Sequence, residues 1–163
     1  MLLAILSDTH DNRHAIRRAL DLARGRGAAE ILHCGDMTSS AAVELFRGWT
    51  LQYVYGNTDR DKSEIRAAVD RLGTGSSCGE ELRLERDGVR IALLHGNRAD
   101  RLSAAVRSGD FDFVLHGHTH RRRDEQSGRT RVVNPGALGG AAADRHSFCL
   151  LNTSDGGVEF VEA

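Results

Sequence analysis

Five short, largely apolar runs in this chain lead into a carboxylate, an amide or an imidazole, and that repeated edge limits the folds open to it. Leu2 to Leu6 is continuously apolar and runs into Ser7-Asp8-Thr9-His10. Ile31-Leu32 leads to Gly35-Asp36, Leu51 to Tyr55 leads to Gly56-Asn57, and Val89 to Leu94 leads to His95-Gly96. Phe111 to Leu115 leads to His116-Gly117-His118-Thr119-His120. A short, continuously apolar run such as Leu2 to Leu6 reads as a parallel strand buried on both faces. After the first run, Ala15, Ile16, Ala19, Leu20 and Ala23 recur at helical spacing and Gly25 and Gly27 close the helix; residues 41–46 and 62–72 also read as helical. Strand, polar loop and helix in repetition predict a parallel sheet, whose ligands gather at the carboxyl ends of its strands.

The second half changes character. Glu80 to Arg86 and Val89 to Leu94 flank Asp87-Gly88, a hairpin signal, and residues 99–108 read as a short helix. Arg129 to Val133, Ser147 to Leu151 and Val158 to Val161 are expected to complete an antiparallel set. The expectation is a single domain over residues 1–163, α/β in class, with two sheets packed together and helices outside. A composition 40% hydrophobic and 28% charged supports a packed core rather than disorder. A net charge of −1 gives no global pull toward nucleic acid or anionic membrane, and no dedicated nucleic-acid surface is evident. Leu2 to Leu6 lacks a basic leader and Asp8 cuts it short, so it is not read as a signal peptide; no other run approaches membrane-spanning length. Cys34, Cys78 and Cys149 are far apart and form no CxxC, which predicts small buried residues in a reducing, cytoplasmic setting.

The strand ends carry the chemistry. Carboxylate, imidazole and amide oxygen meet there without a cysteine, a donor set that suits Mn, Fe, Zn or Ni better than a thiolate-bound structural zinc. Side chains two apart in extended chain share a face, so Asp8 with His10, and His118 with His120, are expected to converge. The glycines beside them let backbone turn sharply and approach a ligand closely.

The order D-x-H, G-D, G-N, H-G, G-H-x-H resembles that of the calcineurin-like metallophosphoesterases. The chain's size and Asn134-Pro135-Gly136 resemble the small, single-domain, YfcE-type phosphodiesterase branch, and the likeness runs from residue 2 to about residue 151. That resemblance implies a four-layer α/β/β/α sandwich of two mixed sheets flanked by helices. It implies two divalent metal ions, Mn²⁺ foremost, with Fe, Zn, Ni or Co as alternatives. Asp8, His10, Asp36 and His120 would hold the first, and Asp36, Asn57, His95 and His118 the second, with Asp36 bridging. Asp36, Asn57 and His95 are the residues expected at the reacting centre. The implied reaction is hydrolysis of phosphodiesters, and of monoesters as a further substrate class, by in-line attack of a metal-bridging hydroxide. Many relatives carry a histidine after the G-N asparagine, where it serves as general acid or orients phosphate. Here Thr58 stands in its place, and Asp59 resembles the acidic residue that closes the segment.

Other residues have simpler readings beside a functional one. Asn12 and Arg13 either contact substrate or start the first helix. Asn134 in Asn134-Pro135-Gly136 either supports the site or makes a turn. His33, His116 and His146 read first as structural, His14 as solvated and Cys34 as packing. Arg121-Arg122-Arg123 reads first as a solvated charge run, with phosphate steering as the alternative. Against a small phosphate-ester substrate stands one other function, a metal-binding protein-interaction scaffold with little or no catalysis. A homo-oligomer is compatible with either.

Overall fold

The computed structural model describes residues 1–73, 75–140 and 145–163. In chain order the first elements are β1 (Leu2–Leu6), α1 (Arg13–Gly25), β2 (Glu30–His33), α2 (Ser40–Val43), β3 (Leu51–Val54), α3 (Lys62–Arg71) and β4 (Ser77–Gly79). Then come β5 (Glu81–Arg86), β6 (Val89–Leu94), α4 (Ala99–Ser108), β7 (Phe113–Leu115), β8 (Arg122–Ser127), β9 (Thr130–Pro135), β10 (Ser147–Asn152) and β11 (Val158–Glu162). One sheet has the order β11-β10-β1-β2-β3-β4 and the other β5-β6-β7-β9-β8. Both are mixed: β1 to β4 run parallel while β10 lies antiparallel to its neighbours β1 and β11, and β6, β7 and β9 run parallel between antiparallel β5 and β8.

Three apolar layers separate four layers of secondary structure. Alternation along β1 sends Ala4 and Leu6 to one face and Leu3 and Ile5 to the other. Ala4 and Leu6 join Ile16, Ala19, Phe46 and Ile65 under α1, α2 and α3. Leu3 and Ile5 join Leu32 and Val54 against Ile91, Leu93, Leu115 and Val133 of the second sheet. Ala92, Leu94, Phe111 and Val114 on that sheet's outer face lie under Leu102, Ala105 and Val106 of α4. The result is the expected α/β/β/α sandwich. Both faces of β1 are buried, which explains its unbroken apolar sequence. Asn12 caps α1 by accepting from the Ala15 N–H at 3.2 Å, and the helix buries the five periodic residues expected of it.

Two expectations are corrected. The late strands do not form one antiparallel set: β9 pairs parallel to β7, while β10 returns to lie between β1 and β11 in the first sheet. Nearly every residue of β10 is buried, so it needs cover on both faces, which only an interior place supplies. Strand β8 was not expected at all. Its sequence, Arg-Arg-Asp-Glu-Gln-Ser, is almost wholly exposed. Backbone pairing to β9 from Arg122↔Pro135 to Ser127↔Thr130 defines it, and a polar edge strand leaves no apolar period to read. Short β4 was missed as well, for want of length.

At the amino ends of β1 and β2 the two sheets are tied by charge. Arg86 donates to both carboxylate oxygens of buried Glu30, at 2.6 and 2.8 Å, and Gln52 Nε2 donates to the same group at 2.8 Å. The Met1 ammonium reaches Asp87 of the β5–β6 turn at 2.8 Å. Arg86→Met should therefore destabilise the protein by about 2–3 kcal/mol, because it strands a buried carboxylate. Adding Glu30→Gln should recover part of that loss. Urea unfolding of the two variants checks both expectations.

Candidate functional site

The five strand-end segments meet at the pole opposite that tie. Backbone bonds lace them together: Asp8 N–H to the Gly35 carbonyl, His10 N–H to the Asp36 carbonyl and Gly117 N–H to the His95 carbonyl, each 2.9 Å. The chain is not extended there. Asp8, His10, Asp36, His118 and His120 take φ of 49°, 42°, 61°, 70° and 57°. Positive φ costs a non-glycine residue on the order of 1 kcal/mol or more and is held only where the surroundings dictate it. Asp8 and His10 converge, but through left-handed backbone rather than the shared face of an extended strand. His118 and His120 separate, each joining a different half of the cluster, because left-handed backbone at both residues breaks the period of two.

One half is Asp8, His10 and His120. Asp8 is fully buried. Its Oδ2 accepts from Ser7 Oγ at 2.6 Å and from the His118 N–H at 3.0 Å, while among the described residues its Oδ1 has no hydrogen-bond partner. That oxygen lies 3.3 Å from His120 Nε2, which is itself 3.3 Å from His10 Nε2. The other half is Asp36, His95, Asn57 and His118. His95 Nδ1 lies 2.7 Å from the Cys34 carbonyl, which can only accept, so Nδ1 carries a proton and the neutral tautomer this selects is the one whose Nε2 presents a lone pair. That lone pair faces Asn57 Oδ1 at 3.0 Å and Asp36 Oδ2 at 3.5 Å. The His118 ring packs edge-on to His95 with centroids 5.2 Å apart, at the exposed mouth. Asp36 Oδ2 also stands 3.8 Å from His10 Nε2. One carboxylate oxygen thus faces both halves.

Lone pairs aimed at one another repel unless a proton or cation sits among them. Asp8 Oδ1 is the clearest sign, a buried acceptor with no donor. Burial pushes the Asp8 carboxyl up from 3.8 to about 6, despite the opposing hydrogen bond from Ser7. Imidazole nitrogens and carboxylate oxygens with no thiolate suit a borderline or hard divalent ion. Asp8, His10 and His120, and separately Asp8, Asp36 and His95, present ligand atoms all within 4.8 Å of one another. The residues present fit the divalent cations that the resemblance implies.

Residues behind these hold them in place. Asp59 accepts from Gly56 N–H at 2.6 Å, Thr38 N–H at 2.8 Å, Asp36 N–H at 3.2 Å and the Tyr53 hydroxyl. Asp36 Oδ1 accepts from Thr58 N–H at 2.9 Å, which turns Oδ2 toward the histidines. At two glycines close approach forbids a side chain. A Cβ on Gly56 would fall on Asp36 Oδ1, and one on Gly117 would lie 2.5 Å from Asp8 Oδ2. Asn134 donates to the Gly117 carbonyl at 2.8 Å and Thr119 Oγ1 at 3.1 Å, so its loop shapes the segment before His118 and His120. Asn12 caps α1 and donates to the Leu138 carbonyl at 3.0 Å. Arg13 is exposed at the start of α1, with no hydrogen bond to the cluster among the described residues.

Sequence reasoning missed Ser7, Tyr53 and the Cys34 carbonyl. Ser7 lay within the first polar segment and was legible as a neighbour of Asp8. A tyrosine inside an apolar strand and a main-chain oxygen carry no such signal. His33 and His116 keep their structural readings. His33 is buried against Phe46 and Tyr53, and burial lowers its pKa to about 3. Burial likewise lowers that of His116 to about 4. The Cys34 thiol is buried, and burial pushes its pKa well up, away from the nucleophilic form.

Residues 1–156 match the sequence profile of the calcineurin-like phosphoesterase superfamily domain. A phosphodiesterase of Methanocaldococcus jannaschii is 28% identical over 155 residues, covering 94% of this chain and 93% of that protein. The solved structure of an archaeal phosphodiesterase superposes with a TM-score of 0.96 at 26% identity, over 100% of both chains. YfcE, a phosphoesterase from E. coli, shares the fold with a TM-score of 0.71 at 20% identity, over 99% of each chain.

A proton on Asp8 and a cation compete for the same oxygen. Mn²⁺ affinity should fall as pH drops through about 6, the pKa of Asp8 in the metal-free fold. The same upward shift makes the protonated acid the form the metal-free fold prefers, so its contribution to stability is lost as pH rises from 3.8 to about 6. Bound Mn²⁺ should reverse that sign. Isothermal titration of Mn²⁺ between pH 5 and 7.5, with melting curves beside it, measures both.

Proposed function

The chain belongs to the calcineurin-like phosphoesterase superfamily, and on that premise we propose that it hydrolyses phosphodiesters with two divalent cations held by the seven clustered side chains. Asp8, His10, Asp36 and His120 hold one, Asp36, Asn57, His95 and His118 hold the other, and Mn²⁺ is the first ion to try. The observation that carries this reading is Asp36 Oδ2, which stands between His10 Nε2 at 3.8 Å and His95 Nε2 at 3.5 Å. When bound, such a pair of ions lowers the pKa of water and neutralises charge on the phosphoryl group.

The chain's own residues supply position and charge. The Thr58 N–H fixes Asp36 Oδ1, leaving Oδ2 free to be shared. Ser7 and the His118 N–H fix Asp8 Oδ2, leaving Oδ1 free. The Cys34 carbonyl keeps His95 in the tautomer whose Nε2 can coordinate. These bonds preorganise the donors, so little rearrangement is needed when substrate arrives.

Among the described residues, no side chain outside the proposed metal ligands is placed to act as an acid for the departing oxygen. The Thr58 hydroxyl, in the position that resembles the family's histidine, is a far weaker acid than imidazole. The leaving group must depart as its anion, which favours phenolic and other activated esters. Three free cysteines, all buried, support a reducing compartment and with it a cytoplasmic location. No helix among the described residues is long and apolar enough to cross a membrane.

Mn²⁺-loaded protein is expected to hydrolyse bis(p-nitrophenyl) phosphate and to stop when chelator is added. Asp36→Asn should lower the rate on the order of a thousandfold with an unchanged fold by circular dichroism. Absence of turnover by the wild type with every divalent metal tried would leave the interaction-scaffold function instead. Across a series of aryl and alkyl diesters the rate should fall steeply with leaving-group pKa. A flat dependence would show that another group protonates the leaving oxygen.

A further inference from the structure

Beside the His120 half of the cluster lies a cavity of 310 Å³ lined by His120, Arg121, Arg122, Arg145 and Ser147. The proposed metal site uses none of these except His120. The cavity forms where the first residues of β8 meet the start of β10, so it straddles the two sheets at the pole where the five segments converge. Its walls are built: Arg122 Nε donates to Ser147 Oγ at 3.0 Å, and that hydroxyl donates to the Pro135 carbonyl at 2.8 Å. The Arg122 guanidinium also lies over the Phe160 ring at 5.6 Å. Glu162 takes bonds from Arg145 at 2.9 Å and Arg122 at 3.4 Å, which leaves two guanidinium groups sharing one carboxylate. Arg121 has no ion pair among the described residues. Among the described residues the lining contains no acidic side chain. The described residues thus set three guanidinium groups against one carboxylate, that of Glu162, in a recess next to His120.

We propose that this recess binds a second phosphate of the substrate. The reading rests on the function proposed above and narrows it: the preferred substrate is a phosphoester whose non-leaving arm carries a further phosphate group. Planar guanidinium forks match phosphate oxygens in pairs, and a recess beside a ligand histidine lets one molecule reach both places. The volume stands at the lower end of small-molecule sites, about 300–1,000 Å³, which suits a phosphate and its attached sugar rather than a polymer. The Arg121-Arg122-Arg123 run thereby divides. Arg121 and Arg122 face the recess, whereas Arg123 is paired with Glu125 at 2.8 Å on the exposed edge of β8.

Two measurements decide it. In the first, the p-nitrophenyl ester of thymidine 5′-phosphate is compared with the same ester carrying a 3′-phosphate, in Mn²⁺-loaded wild type and the Arg121→Gln/Arg145→Gln variant. The 3′-phosphate should raise kcat/KM about tenfold, through KM, as a charge-assisted contact does, and the variant should lose that advantage. Equal kcat/KM for the two esters in the wild type overturns the proposal. In the second, metal-free protein is titrated with inorganic phosphate and followed by NMR. Shifts should centre on the Arg122 and Arg145 Nε–H and the Ser147 amide and vanish in the variant. Shifts spread over arginines throughout the surface mean adventitious binding only and overturn the proposal. If neither ester is hydrolysed, the proposed function fails, while the titration still decides whether the recess takes phosphate.

Discussion

Asp36 is the residue on which the arrangement turns. Its carboxylate is almost wholly buried, and its two oxygens have different tasks. One is fixed by a main-chain N–H of the segment after β3, and the other faces histidines from the end of β1 and the end of β6. A charged group in that place needs donors or cations on every side. The fold supplies one donor from Thr58 and leaves the rest of its surroundings acceptor-rich. Asp59, tied at once to Gly56, Thr38, Asp36 and Tyr53, is the post against which that geometry is braced. The left-handed backbone at five of the seven clustered residues is strain held in place by such bracing.

Much of this was legible before any coordinates. Leu2–Leu6, Ile31-Leu32 and Leu51–Tyr55 announce buried parallel strands because both faces are covered, and the polar residues stand where such strands end. The motif order then pointed to seven side chains, and the structure brings them to one pole. Three things were not legible, each for a physical reason. Strand β8 exists through main-chain pairing alone, so its side chains carry no period. The destination of β10 depends on which sheet has a vacant neighbour, a question of packing rather than of local pattern. The manner in which Asp8 meets His10, and His118 parts from His120, depends on left-handed backbone that an aspartate or histidine adopts only under tertiary constraint. Supporting roles filled by main-chain atoms, such as the Cys34 carbonyl on His95, are invisible in principle, since every residue has a carbonyl.

The pairing of an acidic, donor-poor cluster with an arginine-lined recess beside it gives the pole a polarity of its own. Oxygen and nitrogen lone pairs crowd one end and guanidinium groups the other, with His120 belonging to both. A doubly phosphorylated molecule would see complementary partners at each end only after cations occupy the first. On the substrate proposed above, metal loading and substrate preference would be parts of one electrostatic design.

The tie of Arg86 to Glu30 and of Met1 to Asp87 lies far from that pole, yet it bears on it. The two sheets are pinned at one end and hold Asp36 and His95 on opposing jaws at the other, with the Leu3, Ile5 and Leu93 layer as the spacer between them. A sandwich hinged in this way works as a calliper. Thinning or thickening the spacer by a methyl group changes the gap between the jaws, so side chains that never touch a ligand set the gauge to which the ligands are cut.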